Sequence, residues 1–170
     1  MYGQLGGAQG RGEPRPCNAP RAMGAAGLPV LEGYVRSGAF SLEGGYRSTL
    51  ELMKRSSRPT ALFASNYEMT LGTFRALREL GIKCPEEVSV VGFDDMVMGE
   101  DGFSLATMFS PQPTTVAQPS YQIGKESVKL LMRELDKSDD AQRDGRETIV
   151  RLCVELRVRE SSGPASFDSP

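Results

Sequence analysis

Four residues of this chain have the chemistry to hold a polar, hydroxyl-rich small molecule: Phe40, Asn66, Asp94 and Gln118. An aromatic ring offers a face to the apolar side of a ring-shaped ligand, a carboxamide donates and accepts, and a carboxylate accepts through two oxygens. Each has a plainer reading beside that one. Asn66 is of the type that caps a helix, and Phe40 could be a core residue beneath its loop. Gln118, just ahead of Pro119, can bond a ligand or a passing backbone segment with equal ease. Asp94 and Asp95 are neighbouring carboxylates, which repel unless a helix N-terminus, a cation or a hydroxyl donor balances one of them. A capping role for one and a ligand role for the other would reconcile the pair.

Catalysis finds little footing. Histidine is absent from the sequence, which removes Ser-His and Cys-His catalysis, the commonest general base and the commonest transition-metal ligand. Ser65 and Tyr67 flank Asn66 with no base beside them. An enzyme using Asp94 or Asp95 as nucleophile or acid lacks a second motif at a workable spacing. Asp94, Asp95, Glu100 and Asp101 match no calcium loop, so no catalytic residue, metal or other cofactor is expected. Cys17, Cys84 and Cys153 are widely spaced, form no C-x-x-C pair and read as free thiols. Gly6, Gly7, Gly10 and Gly12 invite a phosphate-loop reading, but no strand pattern precedes them and no helix pattern follows.

The elements that must position the four residues follow from periodicity. Residues 31–35 read as a short strand, followed by a loop through Gly38, Ala39 and Phe40. Tyr46, Leu50 and Met53 recur at i, i+4 and i+7, which places one apolar stripe along a helix over 42–56. Residues 60–64 form a run apolar on both faces, the pattern of a parallel strand covered by helices. Ser65 and Asn66 can cap a helix that buries Leu71, Phe74 and Leu77 and stops at Gly81. Residues 88–93 make the next strand. Strand and helix alternate, so the fold class is α/β with a parallel sheet and right-handed crossovers. Ligands of such sheets bind outside the carboxyl ends of the strands, where Phe40, Asn66 and Asp94 all fall. Further on, residues 114–119 are extended and suit a crossing segment, and Gly124, Val128, Leu131 and Leu135 form the stripe of an amphipathic helix. A charged loop over 136–147 and a last strand over 148–158 follow.

At 170 residues there is room for one ordinary domain. Residues 1–27, crowded with Gly, Pro, Arg and Ala, read as a poorly ordered leader, 28–162 as the domain and 163–170 as a disordered tail. With 20 basic against 22 acidic side chains the net charge is −2, no footprint for gripping a phosphate backbone unaided. Neither a secretory leader nor an apolar run of membrane-spanning length occurs, so a cytoplasmic protein without membrane contact is expected.

Taken in order, Arg58-Pro59-Thr60-Ala61-Leu62-Phe63-Ala64-Ser65-Asn66, Leu71-Gly72 through Leu80-Gly81-Ile82, and Pro85-Glu86-Glu87-Val88-Ser89-Val90-Val91-Gly92-Phe93-Asp94-Asp95 resemble LacI/GalR family regulators. Pro113-Thr114-Thr115-Val116, Gln118-Pro119, the helix from Gly124 and Val158-Arg159-Glu160-Ser161 continue the likeness, which covers about residues 28–162. The resemblance implies the two-lobed periplasmic-binding-protein-like (type I) fold, with mainly the C-terminal lobe and an incomplete first lobe present. It implies that Phe40 stacks on an effector, that Asn66 and Asp94 hydrogen-bond it, and that Gln118 lies near a crossover between lobes. The function implied is the ligand-sensing portion of a DNA-binding transcriptional repressor that answers to a small-molecule effector, a carbohydrate, and forms a homodimer. DNA would be reached only through a helix-turn-helix with no counterpart here. A periplasmic sugar-binding protein of a transport system is the alternative with the same fold. Two departures stand out. Tyr67 occupies the position after the matched Asn where many members carry Asp, and most of the first lobe has no counterpart, Arg15 being a poor match for the family's upstream Arg. The helix near 119–136 would belong to that lobe, which leaves Leu131 and Leu135 without a partner.

Overall fold

A computed structural model of the chain describes residues 2–6, 19–29, 31–98, 102–136 and 149–164. In chain order the strands are β1 (Tyr2–Gly6), β2 (Val35–Ser37), β3 (Ala61–Ala64), β4 (Ser89–Phe93), β5 (Val97–Met98), β6 (Phe103–Ser104), β7 (Thr114–Ala117) and β8 (Glu155–Arg157). The helices are α1 (Ala19–Ala25), α2 (Leu42–Met53), α3 (Tyr67–Glu79) and α4 (Ser120–Leu135). Six strands form one sheet in the order β2-β1-β3-β4-β7-β8, parallel except for β8, which runs antiparallel to β7. β5 and β6 make a separate two-stranded antiparallel ribbon.

The alternation of strand and helix therefore yields the expected α/β parallel sheet, and the caps explain the helix limits. The Ser41 hydroxyl accepts from the Gly44 amide at 3.1 Å to start α2, and Asn66 accepts from the Met69 amide at 2.9 Å to start α3. Gly81, at φ +67°, takes the left-handed turn after α3 that a side chain would resist.

Several expectations need correction. Residues 1–27 are not strandless: β1 pairs with β2 on one side and β3 on the other, so a strand does precede the glycine cluster, whose Gly7, Gly10 and Gly12 lie outside the described residues, as do Cys17 and Arg15. The strand placed at 31–35 is a single 3-10 turn, Glu32–Tyr34, leading into β2. Residues 114–119 carry a full sheet strand, β7, rather than only a crossing segment, and the last strand is confined to β8.

The core lies between one face of the sheet and the α2–α3 pair. Leu62, Ala64 and Val90 point from β3 and β4 toward Leu52, Met53, Met69 and Leu77, while Ala61, Phe63, Val91 and Phe93 on the opposite face are only half-buried. The strands are thus covered fully on one side, not on both as their apolar runs suggest. Of the stripes expected on α2 and α3, Met53 and Leu77 do reach the core, with Phe74 packed against it, but small and polar residues fill most of the inward faces. Gly45, Ser48, Thr49, Leu52 and Met53 are buried on α2, and Met69, Thr70, Gly72, Thr73, Ala76 and Leu77 on α3; Tyr46, Leu50, Leu71 and Phe74 are half-buried. The helices meet through small residues: a Cβ on Gly72 would lie 2.1 Å from the Leu42 carbonyl oxygen, and Thr49 donates to Thr73 at 3.1 Å.

Candidate functional site

An open cleft of about 430 Å³ sits at the carboxyl ends of β3, β4 and β7, where each strand hands over to a loop. Asn66 follows β3, Asp94 follows β4 and Gln118 follows β7, and all three line the cleft together with Tyr67, Met96 and Val97. Three of the four residues singled out from the sequence therefore share one site. Phe40 is not among the lining residues. It follows β2 at φ +51°, its side chain is exposed, and its carbonyl oxygen accepts from Asn66 Nδ2 at 3.0 Å. Backbone, not ring, is what the structure brings to Asn66.

The plainer role of Asn66 is real. Its Oδ1 is occupied by the α3 cap and its Nδ2 by the Phe40 carbonyl, which leaves one N–H and one lone pair for any third partner. Beside it, burial pushes the Tyr67 phenol above its ordinary value.

The two carboxylates divide as different species. Asp94 stands at φ +74° with its side chain toward the cleft mouth, accepting from Gln118 Nε2, and its amide donates to the Val116 carbonyl at 3.0 Å. Asp95 turns the other way and is buried. Thr115 Oγ1 donates to it at 2.6 Å, Arg157 Nη1 at 2.6 Å, and Arg159 as a fork at 2.8 and 2.9 Å. Burial alone raises the Asp95 carboxyl, but the bonds from Arg159, Thr115 and Arg157 outweigh it and hold the group down to about 2. A cation and a hydroxyl balance this carboxylate, so the capping role considered for one member of the pair falls away. Sequence reasoning missed Arg157 and Arg159; the one available signal was their i, i+2 spacing beside a strand, which turns two guanidinium groups to the same face.

Chemically, the cleft is lined by the acidic residues Glu68, Asp94 and Asp95, the carboxamides of Asn66 and Gln118, the Tyr67 phenol and the Ser120 hydroxyl, a set of hydrogen-bonding groups suited to a polar ligand. Among the described residues no group of three His, Cys, Asp or Glu is placed to hold a metal ion, and no helix is long and apolar enough to cross a membrane. Cys84, half-buried, is pushed up to about 11 by burial, which makes it a poor nucleophile.

Comparison with known proteins places this geometry. Residues 9–162 match the family model described as a periplasmic binding protein-like domain. Catabolite control protein A of Priestia megaterium is 32% identical over 142 residues, covering 84% of this chain and 39% of that protein. An HTH-type transcriptional repressor PurR from Photorhabdus laumondii is 33% identical over 123 residues, 72% of this chain and 34% of the relative. Among solved structures, a complex of the transcriptional regulator CelR with cellobiose superposes with a TM-score of 0.73 at 31% identity, over 95% of this chain and 46% of that one. A LacI family regulator from Enterococcus faecium with bound ribose gives 0.74 at 26% identity, over 97% and 57%. The chain thus spans well under two thirds of these relatives' length. The relatives are transcriptional regulators, not enzymes and not transport proteins, which removes the support for the transport alternative. The chain belongs to the periplasmic-binding-protein-like family in its LacI-type branch, and it spans part of that family's effector-binding region.

Proposed function

We propose that this chain is the ligand-sensing portion of a LacI-type transcriptional repressor, and that its effector is a small carbohydrate bound in the cleft beneath Asn66, Asp94 and Gln118. The observation that carries this reading is the convergence of those three side chains at the ends of three adjacent parallel strands. Asp94 and Gln118 present a paired acceptor and donor, the arrangement that neighbouring hydroxyls of a sugar match. Cellobiose and ribose in the two related structures support the same class. Phe40, on the loop hydrogen-bonded to Asn66 with its ring exposed, is the aromatic available to stack on the ligand. DNA is reached through a helix-turn-helix supplied outside this chain, as the name of the PurR relative suggests. The regulator works as a homodimer in the cytoplasm and performs no catalysis.

Calorimetric titration of the intact protein with ribose, cellobiose and adenine tests the site. Saturable binding of a sugar is expected, weakened by about tenfold or more in Asp94→Ala and in Phe40→Ala. Equal affinity in wild type and both variants, or binding of adenine alone, would remove the carbohydrate reading.

A further inference from the structure

We propose that Asp95, gripped by Arg157 and Arg159, is a positioning residue that sets the Asp94 carboxylate in the cleft and ties it to the sheet edge formed by β7 and β8. The inference rests on the reading of Asp94 as the ligand-facing carboxylate.

Three observations carry it. First, Asp94 at φ +74° and Met96 at φ +41° are both left-handed, and neither is glycine. Non-glycine residues are strained there and persist only where the surroundings over-determine them. Second, the residue between them supplies that determination. The Asp95 side chain is 1% exposed and receives four donors, and its carbonyl accepts from Ser104 Oγ at 3.0 Å. A turn with its middle residue fixed at both carboxylate and carbonyl cannot rotate Asp94 out of place. Third, the grip comes from one frame. Thr115 and Arg157 are directly paired across β7 and β8, Arg159 also donates to Thr115 Oγ1 and to the Pro113 carbonyl, each at 2.9 Å, and β7 leads straight to Gln118, whose amide donates to Asp94. The same strand pair therefore places both the carboxylate and its amide partner.

An ion pair serving only stability would lock β8 to β7 and leave Asp94 indifferent. The Gln118 side-chain amide separates the two roles without any ligand, because its proton resonances report directly on the bond to Asp94. In nitrogen-15 NMR spectra of the intact protein, this amide is expected far from the position of a free glutamine in wild type and in Arg157→Lys. It should move to the free position in Arg157→Met, which keeps the Arg159 fork. Ribose or cellobiose affinity should fall by about tenfold in Arg157→Met and by under about twofold in Arg157→Lys, measured where all three are folded. Adding Met96→Gly to Arg157→Met relieves one left-handed side chain and is expected to restore the Gln118 resonances. A folded Arg157→Met with wild-type Gln118 resonances overturns the proposal. So does a failure of both Arg157→Met and the Met96→Gly double variant to fold, since the grip would then be structural alone. Asp94→Asn separates this from the ligand reading: sugar affinity that survives Asp94→Asn sinks the ligand reading, while the response of Gln118 to Arg157→Met still decides the positioning role.

Discussion

Asp95 keeps its charge although burial raises its carboxyl, because four donors from three side chains meet its two oxygens. Its carboxyl is held at about 2 against an ordinary 3.8. A carboxylate depressed in the folded state contributes stability that is complete above the unfolded value and lost as pH falls through the folded one, here from about pH 4 to about pH 2. The shift corresponds to about 2 kcal/mol. Urea unfolding of wild type and Asp95→Asn at a series of pH values should therefore show a stability gap that is constant above about pH 5 and narrows by that amount toward pH 2. A gap independent of pH would mean that Asp95 is not the ionised partner of the arginines. The sequence posed this problem without solving it. Two adjacent carboxylates at a strand end signal that one must be balanced, but the balancing guanidiniums lie 62 and 64 positions away, and only the antiparallel return of β8 brings them in. Asn66, in contrast, was legible as a cap from its type and place alone, since capping is a local matter.

Elements were legible where apolar periodicity is strong and misread where small residues do the packing. The period of 3.6 located α2 and α3 and placed Met53 and Leu77 in the core, yet Tyr46, Leu50, Leu71 and Phe74 of the same stripes are only half-buried. The helices instead approach through Gly45 and Gly72, where a Cβ would come within 2.5 Å of the Met69 carbonyl oxygen and 2.1 Å of the Leu42 carbonyl oxygen, with Thr49 and Thr73 hydrogen-bonded between them. Gaps this narrow are set by backbone, which has little room to give. Gly72→Ala is accordingly expected to destabilise the fold by about 1–3 kcal/mol despite the better helix propensity of alanine, read as a lower urea midpoint at unchanged slope. A neutral or stabilising Gly72→Ala would mean that the α2–α3 contact is looser than described. β1 escaped notice for a related reason: Tyr2–Gly6 carries two glycines and no β-branched residue, and what makes it a strand is the pair of neighbours, β2 and β3, that it bridges.

At the scale of the whole molecule, one side is finished and the other is not. The α2–α3 side closes over a core, whereas no residue of α4 is buried, and its Val128, Leu131, Met132 and Leu135 are each more than half exposed. Ile149, Val150 and Val154, which share a groove with Ile123 and Leu130 of α4, present further exposed apolar surface. Exposed apolar side chains clustered along one helix favour association in water. Since the chain spans 39% of the length of catabolite control protein A, the matching surface in such relatives has ample sequence to come from, and the cleft at Asp94 would gain a second wall from the same source. The 170-residue chain on its own is therefore expected to associate as its concentration rises and to bind sugar more weakly than the intact protein. Sedimentation velocity across a concentration series measures the first effect. Leu131→Glu together with Leu135→Glu should shift the distribution to monomer without changing the helix and strand content seen by circular dichroism, because neither side chain contributes to the core. Unchanged sedimentation in the double variant would show that the exposed face of α4 is not what brings the copies together.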